Sequence, residues 1–126
     1  MKKLILILML ALAPCLAYPQ GGPNQTIHSA ALEASHVLKT GPGTLISLIG
    51  YNSGAAQFIQ VHNIASVPNE GDVPTYTFAV GAAQNFSLDV PISGARFSAG
   101  ITVCNSSTVD TKTIGAANIF FTAVVQ

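Results

Sequence analysis

The sequence predicts an all-β chain: a single antiparallel β-sandwich, jelly-roll or immunoglobulin-like, of seven to eight strands, preceded by an N-terminal hydrophobic helix of the signal type. Three observations predict it. Residues 75–80 alternate Tyr76, Phe78 and Val80 with Thr75, Thr77 and Ala79, and residues 117–125 alternate Ile119, Phe121, Ala123 and Val125 with Phe120, Thr122 and Val124. That period of two is the signature of a strand with one face in a core. Between such runs stand short clusters of Gly, Pro, Asn and Ser at turn spacing. The stretch 65–103 shows the pattern best: a loop hemmed by Pro68 and Pro74 feeds one strand, a second answers it, and Gly94-Ala95-Arg96-Phe97 leads into a third.

Taken in order, Met1-Lys2-Lys3 is a short basic start, residues 4–12 are an uninterrupted apolar run, and small residues follow through Ala17. This is the layout of a secretory signal peptide, with the cut expected after Ala17. The run is too short for a membrane-spanning helix, which needs roughly 20 residues. Leu12-Ala13-Pro14-Cys15 also resembles a lipobox, from which Pro14 departs. The expected division is a signal peptide at 1–17, a flexible leader at 18–33 rich in Pro and Gly, and a sandwich domain at 34–126. Within the leader, residues 26–33 hold enough apolar character for at most a helical turn.

The first strand is expected at 34–40, followed by the tight turn Gly41-Pro42-Gly43. Residues 44–51 carry Leu45, Ile46, Leu48 and Ile49, and this near-continuous apolarity predicts a central strand covered on both sides. Asn52-Ser53-Gly54 turns the chain into 56–63, where Phe58, Gln60 and His62 alternate with Ile59 and Val61. Gly81-Ala82-Ala83-Gln84 reads as a hairpin-type connection to a strand whose inward face is Phe86, Leu88 and Val90. Residues 95–97 and 101–104 read as one strand kinked near Gly100 or as two short ones. A polar loop at 105–115 precedes the final strand.

Charge excludes some functions. Charged residues are 8% of the chain, and removing residues 1–17 leaves Lys39, Arg96 and Lys112 against Glu33, Glu70, Asp72, Asp89 and Asp110. Such a surface has no electrostatic footprint for nucleic acid. It is weakly defended against self-association. With Cys15 removed, Cys104 has no partner in its own chain, and its place after Ile101-Thr102-Val103 predicts a small buried hydrophobe.

Motifs that would carry catalysis are missing from the sequence: it holds no Gly-x-Ser-x-Gly elbow, no His-Glu-x-x-His and no phosphate loop. The chain is therefore read as non-enzymatic, with no cofactor. His28, His36 and His62 would converge only if the first and third strands were neighbours. Glu70 and Asp72, held between Pro68 and Pro74, and Asp110 in the later loop are weak calcium candidates, too few to complete a ligand set. Of three Asn-x-Ser/Thr triplets, at Asn24, Asn85 and Asn105, the last is the most plausible glycan acceptor and Asn85, at a strand start, a poorer one.

From about residue 37 to 125 the chain resembles small β-sandwich proteins encoded in bacteriophages and prophages. The similar elements are Tyr51-Asn52-Ser53-Gly54-Ala55-Ala56, the loop 65–74, Gly94-Ala95-Arg96-Phe97-Ser98-Ala99-Gly100-Ile101, and a Ser/Thr/Asp loop running into a final alternating strand. The resemblance implies a virion-associated structural role, such as a head-decoration or fibre-like module. It implies no catalytic residue. The exported N-terminus lies outside that pattern and implies a module taken over for secretion or displayed at the cell envelope.

The function expected is thus a structural or interaction module, virion-like or exported, that assembles with itself or a larger particle through β-sheet surfaces. In one variant, residues 26–40 leave their own sandwich to complete a neighbour's sheet. The alternative is a secreted module binding glycans or a cell-surface partner. Protein partners are expected, nucleic acid is not, and contact with a membrane is expected only through the signal segment. The location expected is periplasmic, extracellular or at the cell surface, or else the virion.

Overall fold

The computed structural model describes residues 22–126, so the signal segment, its cut and Cys15 lie outside the described residues. Among the described residues nine strands, rather than the seven to eight expected, form two antiparallel sheets packed as a sandwich. They are β1 (Gln25–His28), β2 (Ser35–Lys39), β3 (Gly43–Asn52), β4 (Gln57–His62), β5 (Tyr76–Val80), β6 (Gln84–Leu88), β7 (Ala95–Phe97), β8 (Ile101–Ser106) and β9 (Ile119–Val125). Sheet A runs β1-β9-β3-β6, with β7 also paired to β3. Sheet B runs β2-β8-β4-β5.

The ten-residue β3 organises sheet A. Along one side it pairs with β9; along the other, its first residues pair with β7 and its last with β6. The pleat then decides what is buried. Leu45 and Leu48 of β3, all four odd-numbered residues of β9, Phe86 of β6 and Ala95 and Phe97 of β7 face Ile59, Val61, Val80, Ile101 and Val103 of sheet B. Phe78, Phe86 and Phe121 form a chain of ring contacts across the interior, with centroids 5.7 and 6.3 Å apart in tilted and edge-on geometry. Gly50 sits under this chain: a Cβ there would meet the Phe86 ring and the carbonyl oxygen of Phe120.

Three expectations are corrected. The leader 18–33 contains β1, whose partner is β9, and Glu33 makes a further bridge to Ile119, so the sandwich begins before residue 34 and there is no helical turn at 26–33. Backbone pairing drives this, because without β1 the outer edge of β9 would be open, while Ile27 adds the apolar contact to the core. Residues 81–84 do not close a hairpin: β5 belongs to sheet B and β6 to sheet A, so the chain crosses between layers there, with Ala83 at φ 51°. Of the two alternatives read for residues 95–104, the structure has two short strands, placed in different sheets and joined through the buried Gly100, where a Cβ would strike the backbone of Ala65. Finally, β3 is central but covered on one side only, since Ile49 and Tyr51 are exposed.

A network of side-chain amides holds one end of the sandwich. Asn52 donates to the carbonyls of Ala55 and Gly81 at 2.8 and 2.7 Å, and its Oδ1 accepts from Gly54 N–H, closing the turn read from Asn52-Ser53-Gly54. Gln57 bridges Asn52 to Asn118, and Asn105 reaches Asn118 and the Ala116 carbonyl. These bonds tie β3, β4, β8 and the approach to β9 together across both layers. Residues 26–40, considered above as a donated segment, here supply an edge to each of their own sheets.

Candidate functional site

The side of sheet B that faces away from the core is not open to solvent. Gln60 and His62 of β4 and Thr102, Cys104 and Ser106 of β8 point outward, yet all are buried. Two loops, 63–75 and 107–118, cover them. The loops are joined by a short ladder in which Gly71 N–H donates to the Lys112 carbonyl at 2.8 Å and Lys112 N–H to the Asp72 carbonyl at 2.7 Å. Gln60 anchors the second loop: its Nε2 donates to the carbonyls of Thr108 and Thr111, each at 3.0 Å, and more weakly to that of Val109 at 3.4 Å. Ser106 Oγ accepts from Thr113 N–H at 2.8 Å and donates to the Thr111 carbonyl at 3.1 Å.

Three titratable groups lie under this cap. Lys112 is only 3% exposed, and its ammonium donates to the carbonyls of Asn105 and Thr113 at 2.7 and 3.1 Å. Burial lowers its pKa, while Cys104 and Glu70 act in the opposite sense. Burial likewise lowers the pKa of His62, against the raising influence of Asp72, and Lys112 adds to the lowering. Burial pushes the Cys104 thiol up to about 11, with Lys112 opposing.

Cysteine, histidine and lysine lie together beneath the cap. Cys104 Sγ and His62 Nε2 both point at one acceptor, Gln60 Oε1, at 3.9 and 3.3 Å. Donation from His62 Nε2 uses the proton that nitrogen would have to lack to act as a base. A thiol at about 11 is also almost wholly protonated at neutral pH. His62 and Cys104 thus contact the same Gln60 whose amide anchors the second loop. An indentation of about 230 Å³ is lined by His62, Asn63, Ile64, Asp72, Val73 and Thr75.

The residues singled out from sequence are dispersed. Asp72 Oδ2 accepts from Asn69 N–H at 2.7 Å, closing a turn that places Gly71 at φ 88°, so this carboxylate is used by its own loop. Glu70 and Asp110 are exposed on the two loops of the cap. Among the described residues no three His, Cys, Asp or Glu side chains are gathered to hold a metal, so Glu70, Asp72 and Asp110 do not form a ligand set. The histidines do not converge either: β2 and β4 flank β8 rather than each other, His28 lies on the exposed β1, and His36 Nδ1 contacts Glu33 Oε1 at 2.8 Å. Cys104 is buried and free, as the apolar run before it predicts. The Asn105 triplet is corrected: its side chain is fully buried and its Nδ2 donates to Ala116 and Asn118, whereas Asn24 and Asn85 are exposed.

Sheet A presents a different surface. Strand register puts Ser47, Ile49 and Tyr51 of β3 opposite Val124, Thr122 and Phe120 of β9, all turned away from the core. Asn85 and Ser87 of β6 flank one side, Thr26 and His28 of β1 the other. No carboxylate, lysine or arginine stands on this face along β1, β9, β3 or β6, and Ile49 and Tyr51 are 48% and 41% exposed. At its far end Arg96 of β7 pairs with Thr44, next to an open hollow of about 440 Å³ lined by Gly22, Lys39, Pro42, Gly43, Thr44, Arg96, Phe97 and Gln126.

These features define an all-β, two-sheet sandwich with one face capped by loops and the other bare. Compared with protein-family models, with curated proteins and with solved structures, the chain matches none. Among the described residues no helix is long and apolar enough to cross a membrane.

Proposed function

We propose that this chain is a non-enzymatic structural module, virion-like or exported, that assembles with copies of itself or into a larger particle through its sheet surfaces. The observation that carries the reading is the bare face of sheet A. Large apolar side chains exposed together on one sheet face, without the charges that discourage association, are what an interface looks like before its partner arrives. The strand pairing supports the same reading. β1 pairs with β9, β2 with β8, β3 with β6 and β7, and β4 with β5, as in one long hairpin folded over itself. We read this as the jelly-roll arrangement, used by capsid and lectin domains among others. Fold likeness by itself assigns no function, so the bare face bears the weight.

The test is the assembly state of the protein, purified as its host processes it, by light scattering with intact mass. The reading expects assemblies in the native protein that Ile49→Lys or Phe120→Asp dissolves to monomers with an unchanged fold. A native protein that stays monomeric across the accessible concentration range would refute it. The mass also reports the N-terminus: a chain starting at Tyr18 supports export, and one retaining Met1 favours the virion. The alternative, a secreted ligand-binding module, rests on the open hollow beside Lys39 and Arg96, and titration with acidic glycans tests it.

A further inference from the structure

We infer that copies of this chain associate head to tail, the bare face of sheet A and its basic end in one copy receiving the acidic cap of sheet B in the next. This rests on the self-assembly reading above and specifies its geometry.

The argument is the distribution of charge. Among the described residues the basic side chains are Lys39, Arg96 and Lys112, and Lys112 is buried beneath the cap. The two that reach solvent both line the hollow at one end of the sandwich, Arg96 from β7 of sheet A and Lys39 from the adjoining edge strand β2 of sheet B, and neither lies within ion-pairing distance of a described Asp or Glu side chain. Lys39 is held there by the fold: its stem runs across Gly43, where a Cβ would displace it. No Asp or Glu side chain lines that hollow. Glu70 and Asp110 are exposed on the two loops that cover the opposite layer, with Asp72 partly exposed between them. Of the others, Glu33 contacts His36, and Asp89 is exposed just after β6 at the edge of sheet A, outside the residues that line the hollow.

Each charged patch has apolar surface beside it. On sheet A this is Ile49 and Tyr51; on the cap it is Val67, Val73, Val109 and Ile114, with Val73 and Ile114 75% and 69% exposed. Two unlike surfaces of one sandwich complement each other in charge and share apolar character. A two-fold contact of sheet A on itself would leave Glu70 and Asp110 unanswered. A heterologous contact pairs them, and repeated, it builds a ring or an open stack. Charges at such a contact fix register and partner more than they add affinity.

The test is a charge exchange in the natively processed protein. One variant carries Lys39→Gln and Arg96→Glu; the other carries Glu70→Lys and Asp110→Lys. Asp72 is left intact because it closes its own turn. Circular dichroism and thermal melting establish that both fold. Each variant alone is expected to associate roughly tenfold or more weakly than the native chain, and an equimolar mixture to regain assembly, because opposite signs again meet. Native assembly is expected to weaken with added salt. A mixture that associates no better than the separate variants overturns the head-to-tail contact. So does native assembly that ignores both charge variants yet dissolves with Ile49→Lys; that outcome leaves self-assembly standing and removes only this geometry. A native chain that is monomeric removes both.

Discussion

Gln60→Leu tests whether the cap of sheet B is held as described. Gln60 is fully buried, and its amide supplies two 3.0 Å bonds to the carbonyls of Thr108 and Thr111. Leucine keeps the volume and removes every polar contact. Each lost bond is worth about 1 kcal/mol net, and a carbonyl left dry costs about 1–3 kcal/mol more. Rehydration of the loop offsets part of this, so the expected loss is about 2–4 kcal/mol. Two measurements separate global from local loss. Urea unfolding with an unchanged slope gives the global stability. Hydrogen exchange at the amides of Gly71, Thr108, Lys112 and Thr113, which bond within the cap, reports its local opening. A loss below about 0.5 kcal/mol, with those four amides as protected as before, would refute the claim that Gln60 anchors the loop.

Three further outcomes follow from individual contacts. Because burial holds the pKa of His62 below 6.5 in the folded state, the unfolded chain binds its proton more readily. This contribution to stability is therefore complete above pH 6.5 and is lost as pH falls through the folded pKa; urea midpoints from pH 8 to 4 should show the decline, and His62→Gln should flatten it. Cys104, with its thiol near 11 against 9.0 for a free one, should react with iodoacetamide about a hundredfold more slowly in the native protein than in urea at pH 8. Equal rates would show that the cap opens freely. Gly50→Ala forces a methyl group against the Phe86 ring and the Phe120 carbonyl, and should cost about 1–3 kcal/mol in urea unfolding.

What the sequence made legible is what a single strand can announce. The alternation of β9 survives residue by residue, with Ile119, Phe121, Ala123 and Val125 buried and their neighbours half-buried. Phe86, Leu88 and Val90 face the core as read. β1 was not legible because only Ile27 of its four residues contacts the core, and backbone pairing leaves no side-chain signature. Layer crossings were equally hidden: Gly-Ala-Ala-Gln suits a hairpin or a crossing, and which sheet a strand joins is decided by partners distant in sequence. The alternation of β4 set Gln60 and His62 on the face opposite Ile59 and Val61 without saying which face meets the core. It could not show that loop 107–118 would return to cover them, since Lys112 sits in a polar stretch that reads as solvated.

The state of the sheet edges bears on which kind of assembly this chain can support. Edge strands invite pairing with another chain unless they are short, bent or interrupted. Here β1 has four residues and β7 three, and β2 carries a register shift between Val37 and Lys39. Pro74 stands just before β5, and Pro91 follows β6 after Asp89 and Val90. Each device shortens or breaks the row of unpaired backbone groups that a donated strand would need. The same economy is absent from the face of sheet A, where no charge guards Ile49 and Tyr51 along four strands. Donation of residues 26–40 to a neighbour would also strip an edge from each of the donor's own sheets, a loss that stacking of intact sandwiches avoids. Contact through faces therefore asks less of this fold than contact through edges, and residues at the centre of β3 and β9, rather than those of β1 and β2, are where substitution should change assembly first.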